Sequence, residues 1–310
     1  MAVEHSGKLL LIFGLVVNVL GNNDSKVIGG QLSRVIPFMV SVQQHARHHC
    51  GGSLVSLSNV LLACHCFSGF NQFQKLVNVT DPKVFRVVAG HTDLETTSKN
   101  QQIREVKSLL KHPRCSWWGG NDIPKFDLAL IVTKSAFKTT ANVKPIGLYS
   151  KSKKSFEERI AQITEKTICW SAGWGMTAKV GVGTSRYLKY LVMRFVPYSK
   201  CKTSLTPIDA RFKTFNMIKN GQICFQGAYK SEAVYGGDSG GPLVCESQLI
   251  GVTSFVLNST NDIPTVFAKV SEFTEWYGGI AHRSVDSSAP VPQIGLVFLV
   301  MINLVEIETL

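Results

Sequence analysis

The sequence predicts an all-β protein, a barrel or a sandwich. Three observations carry this. Short β-rich runs recur from residue 27 onward, glycine, asparagine and serine turns separate them, and helical periodicity is scarce. In chain order the strand candidates are PFMVSVQ (37–43), GGSLVS (51–56), NVLLAC (59–64), VFRVVAG (84–90) and FDLALIV (126–132). They continue with YLKYLVMRFV (187–196), LVCESQLIGVTSFV (243–256) and TVFAKV (265–270). Only two segments read as helices, a short one at Ser199–Leu205 and a final one over 271–280, with Ser271 as candidate cap. No repeat recurs at a fixed period.

At 310 residues, 45% of them hydrophobic and 17% charged, the chain can bury a substantial core as one large or two medium domains. Its formal charge of +12 fits a solvated basic face or an acidic partner. Basic and aromatic residues are nowhere interleaved as a nucleic-acid platform requires, so nucleic acid is not an expected partner.

The ends have a different texture. MAVEHSGK precedes the apolar run LLLIFGLVVNVLG, which has signal-peptide length, and small Val19 and Gly21 suit cleavage after Gly21. The alternative is a buried N-terminal strand. Export places the eight cysteines in an oxidising compartment, so the protein is expected to be secreted and disulfide-bonded. Asn23, Asn78 and Asn258 begin N-glycosylation sequons, the first on a segment subject to removal. After residue 280 comes an extension of unassigned role: a linker-like stretch, about twelve apolar residues and an acidic end. The apolar run is short for a membrane span. Ser287, Ser288 and Ala289 could form a lipid-anchor signal, but the acidic end fits it badly, so membrane attachment is not expected.

The strongest local signal is YGGDSGGPLVC (235–245), where four glycines surround one Asp-Ser pair. Such a turn exposes a serine Oγ and presents backbone N–H groups beside it. A nucleophilic serine also needs a base and a group to orient that base. His65, in LLACHC (61–66), offers the base; by itself it also fits a metal ligand or a redox motif. Asp127 opens a strongly apolar strand, where an unpaired carboxylate is costly; it serves as the orienter, or merely caps the strand. The three together, in the order His, Asp, Ser, are far more specific than any one. A zinc site on Cys64, His65 and Cys66 is disfavoured, because structural zinc ligands are usually spaced by two to four residues.

With VIGG (27–30), CGGSLVS (50–56), LLACHC (61–66), DLAL (127–130), SAGWG (171–175) and GDSGGPLVC (237–245), the chain resembles the secreted trypsin/chymotrypsin-like serine proteases over about residues 27–279. The resemblance implies two packed six-stranded antiparallel β-barrels, about 27–135 and 136–270, a C-terminal helix, and a site in the cleft between the barrels. It implies a Ser239 nucleophile, a His65 base and an Asp127 orienter, with Gly237 and Ser239 N–H groups as oxyanion hole. No cofactor is required. Residues 22–26 become a short propeptide; cleavage after Lys26 frees a Val27 amine that pairs with Asp238. The expected partners are protein or peptide substrates, an activating trypsin-like protease and protein inhibitors, and the expected state is a monomer. The competing expectation is an inactive homologue acting as a binding module.

The chain departs from trypsin-like members at the specificity pocket. Ala233 stands at the floor, where an aspartate would attract Lys or Arg, and Val256 and Thr265 stand at wall positions that are glycine in wide pockets. The expected preference is for small or medium aliphatic residues, set by differences of about 1–3 kcal/mol per methylene. A family calcium loop would need acidic residues near His91 and Gln101, so no metal is expected. About ten extra residues follow Cys66, around FNQFQKLVNVTD (70–81). The family pattern implies the disulfides Cys50–Cys66, Cys169–Cys245 and Cys201–Cys224. Tyr235 replaces the first cysteine of another family bridge. Oxidising conditions and an even count favour Cys64–Cys115 over two separate thiols. That bridge would staple the His65 segment to the approach of Asp127.

Overall fold

The computed structural model of the protein describes residues 30–70, 76–116, 123–150, 152–176, 183–229, 232–257 and 263–285. The expected signal segment, the expected cleavage point at Lys26–Val27, Asn23, Asn258 and the tail from 286 onward lie outside the described residues. The elements run β1 (Gln31–Leu32), β2 (Met39–Gln44), β3 (Arg47–Leu54), β4 (Asn59–Leu62), β5 (Ser68–Phe70), β6 (Leu76–Asn78), β7 (Phe85–Ala89), β8 (Gln102–Lys111) and β9 (Ala129–Thr133). Then follow α1 (Lys153–Ile160), β10 (Cys169–Gly173), β11 (Lys189–Val196), α2 (Tyr198–Leu205), β12 (Gln222–Gly227), β13 (Pro242–Cys245), β14 (Gln248–Phe255), β15 (Thr265–Lys269) and α3 (Val270–Val285).

Two antiparallel six-stranded barrels result. The first closes in the order β2-β3-β4-β9-β8-β7. The second runs β11-β10-β13-β14-β15-β12 and closes through β12 onto β11, with β1 added at β11. Closure leaves few exposed sheet edges. In the first barrel the central strands β4 and β9 supply Val60, Leu61, Leu62, Leu130 and Ile131, all fully buried. Truncating one of these leucines to alanine costs about 2–5 kcal/mol.

All eight cysteines are paired, as Cys50–Cys66, Cys64–Cys115, Cys169–Cys245 and Cys201–Cys224. Of the insertion after Cys66, residues 71–75 lie outside the described residues; β5 and β6 on either side pair antiparallel, and the exposed Asn78 accepts a hydrogen bond from Lys111 Nζ at 2.7 Å. A seam joins the barrels. Leu188 N donates to Thr92 O at 2.7 Å, Trp174 Nε1 to Thr92 O at 3.0 Å, and Gly51 N to Ser239 O at 2.8 Å. Asp93 pairs with Arg186 across the same seam, which holds its carboxyl well below the usual carboxylate range.

Some elements differ from the sequence reading. Strands β8, β10 and β12 were not foreseen. β8 is largely outward-facing, and charged residues interrupt its apolar pattern. Helix α1 is short; Ser152 caps it by accepting from Ser155 N, and Phe156 and Ile160, one turn apart, bury its inner face. The final helix begins at Val270, so Ser271 lies within it; its hydroxyl donates to Glu157 Oε1 instead of capping. The run at 243–256 is two strands, because Glu246 and Ser247 turn between them with φ of 50° and 60°. His45 and Ala46, at 49° and 65°, turn likewise between β2 and β3. Two successive left-handed residues make the turn whose twist matches a hairpin, normally a task for Asn-Gly.

Left-handed backbone costs a non-glycine residue roughly 1–2 kcal/mol. Ala46 is exposed, so replacing it loses little packing. Ala46→Gly should therefore stabilise the domain by roughly 0.5–1 kcal/mol, offset in part by unfolded-chain entropy. A urea unfolding midpoint that rises with unchanged slope is the expected result.

Candidate active site

The turn after β4 is a short 3₁₀ segment, Cys64–Phe67, that carries His65. The Cys50–Cys66 bridge fixes it on one side and Cys64–Cys115 on the other. Closing the first of these loops stabilises by about 3 kcal/mol on the chain-entropy account. With both flanking sulfurs in disulfides, no thiolate is available beside His65 for a metal.

Asp127 is 2% exposed and its carboxylate accepts three hydrogen bonds. His65 N donates to Oδ1 at 3.0 Å, His65 Nδ1 lies 2.8 Å from Oδ2, and Ser254 Oγ donates to Oδ2 at 2.6 Å. An ionised carboxylate only accepts, so the imidazole must carry its proton on Nδ1. That leaves Nε2 as the basic nitrogen. Ser254, on β14 of the second barrel, was missed in the sequence; TSFV offers no local signal that one of its hydroxyls reaches a carboxylate on the other barrel.

His65 and Ser239 line one cleft of about 490 Å³, with Met176, Tyr235, Phe255 and Val256 among its other walls. Among the described residues, no Asp, Glu, Lys or Arg lines it. Val256 is one of the lining residues. Ala233 and Thr265 are buried, but neither lines this cleft. Met176 is an addition from the structure.

The loop holding Ser239 is tightly constrained. Gly237 has φ of 97° and Gly240 of 77°, and a Cβ on Gly240 would strike Gly51 O. Glycine is required there because Ser239 and its neighbours press against the first barrel. The peptides bearing the Gly237 and Ser239 N–H groups are held by their carbonyls: Met176 N donates to Gly236 O at 2.7 Å, and Gly241 N to Asp238 O at 2.9 Å. His48 adds a third brace. Its Nε2 donates to Gly237 O at 3.0 Å, while Ser41 Oγ donates to its Nδ1 at 2.8 Å.

Asp238 is buried, and its carboxylate accepts from Gly175 N at 2.7 Å and Tyr235 N at 3.0 Å. Burial pushes its pKa up to about 6, against those two donors and the more distant charge of Lys189. No cation makes an ion pair with it among the described residues. Any side chain at Gly173 or Gly175 would collide with this carboxylate. Val27 lies outside the described residues.

Trp174 packs beside two histidines, the half-buried His48 with ring centroids 5.4 Å away and the buried His91 stacked at 5.2 Å. Burial pulls both down to about 4. Neither ring nitrogen of His91 meets a hydrogen-bond partner among the described residues. Sequence reading treated His91 only as a failed calcium ligand; the structure turns it inward against Trp174.

The family description Trypsin matches residues 27–277. Granzyme M of Rattus norvegicus is 31% identical over 282 residues, covering 89% of this chain and 97% of its own length. Serine protease 1 of the same species is 27% identical, covering 86% and 95%, and Trypsin II-P29 of Gallus gallus is 28% identical, covering 83% and 89%.

His91 gives a pH prediction. Its folded pKa of about 4 lies below the ordinary 6.5, so between those values the unfolded chain takes up a proton that the folded one refuses. Stability is therefore lost as pH falls from about 6.5 toward 4. His91→Phe removes both the titration and the unmet polar atoms. It should melt higher at pH 7, by an amount on the order of 1 kcal/mol, and lose less between pH 7 and pH 5 than the parent. A wider gap at pH 7 than at pH 5 would contradict the assignment.

Proposed function

Because this chain belongs to the trypsin family of serine proteases, we propose that it is a secreted endopeptidase, made as a zymogen, that cleaves peptide bonds through Ser239, His65 and Asp127. The observation that carries this is the proton placement at His65. A buried acceptor-only carboxylate holds Nδ1–H at 2.8 Å, and the basic Nε2 is left for the cleft that Ser239 shares.

The chemistry then follows the triad scheme. Ser239 Oγ attacks the amide carbonyl as His65 Nε2 takes its proton. The resulting oxyanion is met by the N–H groups of Gly237 and Ser239; their peptides are braced at the carbonyls and the activation pairing at Asp238 completes the arrangement, so little reorganisation is needed as charge develops. His65 next protonates the leaving amine, and the amine departs to leave an acyl-enzyme on Ser239. Water, deprotonated by the same nitrogen, hydrolyses the ester. Asp127 keeps its charge throughout and stabilises the imidazolium.

Activation is by cleavage after Lys26, the new Val27 amine joining Asp238. In support, Asp238 is a buried carboxylate with amide donors and no ion-pair partner among the described residues, so an ammonium there would be strongly favoured. The preference before the scissile bond is for small or medium aliphatic side chains. The cleft supports this by its apolar walls, Val256 among them, and by the lack of a lining carboxylate among the described residues. Ala233, next to the lining Val234, and Thr265 are the other positions assigned to this preference. An enzyme with this pocket does not cut after its own Lys26, so a separate trypsin-like protease must activate it. Among the described residues no helix is long and apolar enough to cross a membrane.

A serine-directed fluorophosphonate tests this. After treatment with an added trypsin-like protease, the protein should carry one label, on Ser239. The untreated precursor and Ser239→Ala should carry none. A folded, cleaved protein that takes no label is instead an inactive homologue. A precursor that matures by itself at Lys26, through Ser239, refutes the pocket assignment.

A further inference from the structure

The residue before the candidate orienter has an unusual backbone. Phe126 has φ of 45°, a left-handed conformation that a bulky aromatic residue rarely takes. Asp127 follows at the centre of a tight turn, where Leu128 N donates to Phe126 O at 2.7 Å. The direction of the Asp127 carboxylate thus depends on Phe126 keeping a disfavoured shape. Strain of this kind persists only where surrounding structure over-determines it.

Three contacts hold the Phe126 ring. The Arg114 guanidinium carbon lies 3.9 Å from its centroid. The His112 ring stacks on it at 5.2 Å with an interplanar angle of 12°. Gly221 leaves room at its edge, where a Cβ would approach Phe126 Cδ1 to 3.1 Å. Both ring partners are tied to α3. Arg114 Nη2 lies 3.2 Å from Glu272 Oε2, and Trp276 meets His112 edge-on at 5.5 Å. Arg114 N donates to His112 Nδ1 at 3.1 Å, and His112 N to Leu128 O at 2.9 Å, so the group grips the chain on both sides of Asp127. Cys115 follows Arg114 and carries this segment to Cys64; both sulfurs lie within 4.8 Å of an Asp127 carboxylate oxygen.

We propose that Arg114, His112 and Phe126 are positioning residues that clamp Asp127 toward His65, anchored on α3 by Glu272 and Trp276. The clamp rests on the proposed catalytic role of Asp127 and His65. It touches neither substrate nor Ser239. Its part is to keep the strained turn from relaxing, so that Oδ2 stays on the imidazole Nδ1–H.

The test compares the activated parent with Arg114→Ala, Arg114→Lys, Phe126→Asn, and the combination of Phe126→Asn with Arg114→Ala. Arg114 is largely exposed and Glu272 keeps Lys153 as partner, so Arg114→Ala should fold. It should lower kcat by about tenfold or more, with KM unchanged, because small misplacement of a catalytic group is costly. The acid limb of kcat/KM should move to lower pH, since a loosened carboxylate stabilises the imidazolium less. Arg114→Lys should recover part of the loss. Asparagine takes left-handed backbone readily, so on the Phe126→Asn background Arg114→Ala should cost nothing further. An unchanged kcat, a loss with an unmoved acid limb, or equal losses on both backgrounds would overturn the clamp. The His65 Nδ1 proton resonance reads the same contact without turnover. If the parent is inactive but Arg114→Ala shifts that resonance, the clamp stands and the catalytic role fails; if the resonance stays put, the clamp fails.

Discussion

The buried carboxylate of Asp127 is the constraint on which the rest of the site depends. Withdrawing a charge from water costs several kcal/mol unless donors replace the lost hydration. Here three do, and they come from separate places: the His65 backbone, the His65 ring, and Ser254 on the opposite barrel. The carboxylate is therefore satisfied only when the barrels are docked and the turn after β4 is formed. A site assembled this way forms together with the fold. The cross-barrel bond from Gly51 N to Ser239 O puts the candidate nucleophile under the same condition.

A second buried carboxylate, Asp238, has a different balance. Two amides serve it, the more distant Lys189 is its only nearby cation among the described residues, and its pKa rises to about 6. The two aspartates thus differ in what completes them. Asp127 is complete within the described chain, whereas Asp238 retains an electrostatic demand beside the loop whose N–H groups would meet an oxyanion. On the proposed activation route, the Val27 amine answers that demand. The neutral His48, locked between Ser41 and Gly237 O, braces the loop meanwhile from the first barrel.

Much of this was legible in the sequence, for physical reasons. Short, mostly apolar runs such as NVLLAC and FDLALIV read as buried strands, and they supply β4 and most of β9. Glycines around Ser239 marked a turn that exposes a serine, and Gly237 and Gly240 in it take positive φ. The cysteine count anticipated a Cys64–Cys115 bridge, which the structure contains. What escaped depends on partners distant in the chain. Ser254 and His48 look like ordinary strand residues until the barrels meet. The left-handed turns at His45–Ala46 and Glu246–Ser247 lack the asparagine and glycine that would announce them. Phe126 is hidden most deeply, because nothing in KFDLAL suggests a left-handed phenylalanine, and its ring partners come from residues 112–114 and from α3.

Asp127→Asn probes the central interaction most directly. The side chain keeps its shape and Ser254 keeps an acceptor, but the charge is gone and the amide can donate to the imidazole, favouring the wrong tautomer. In the activated enzyme, kcat for peptide hydrolysis should fall by about four orders of magnitude at neutral pH, with the melting temperature little changed. Turnover within a few-fold of the parent would mean that the Asp127–His65 contact does not set the proton on which catalysis depends.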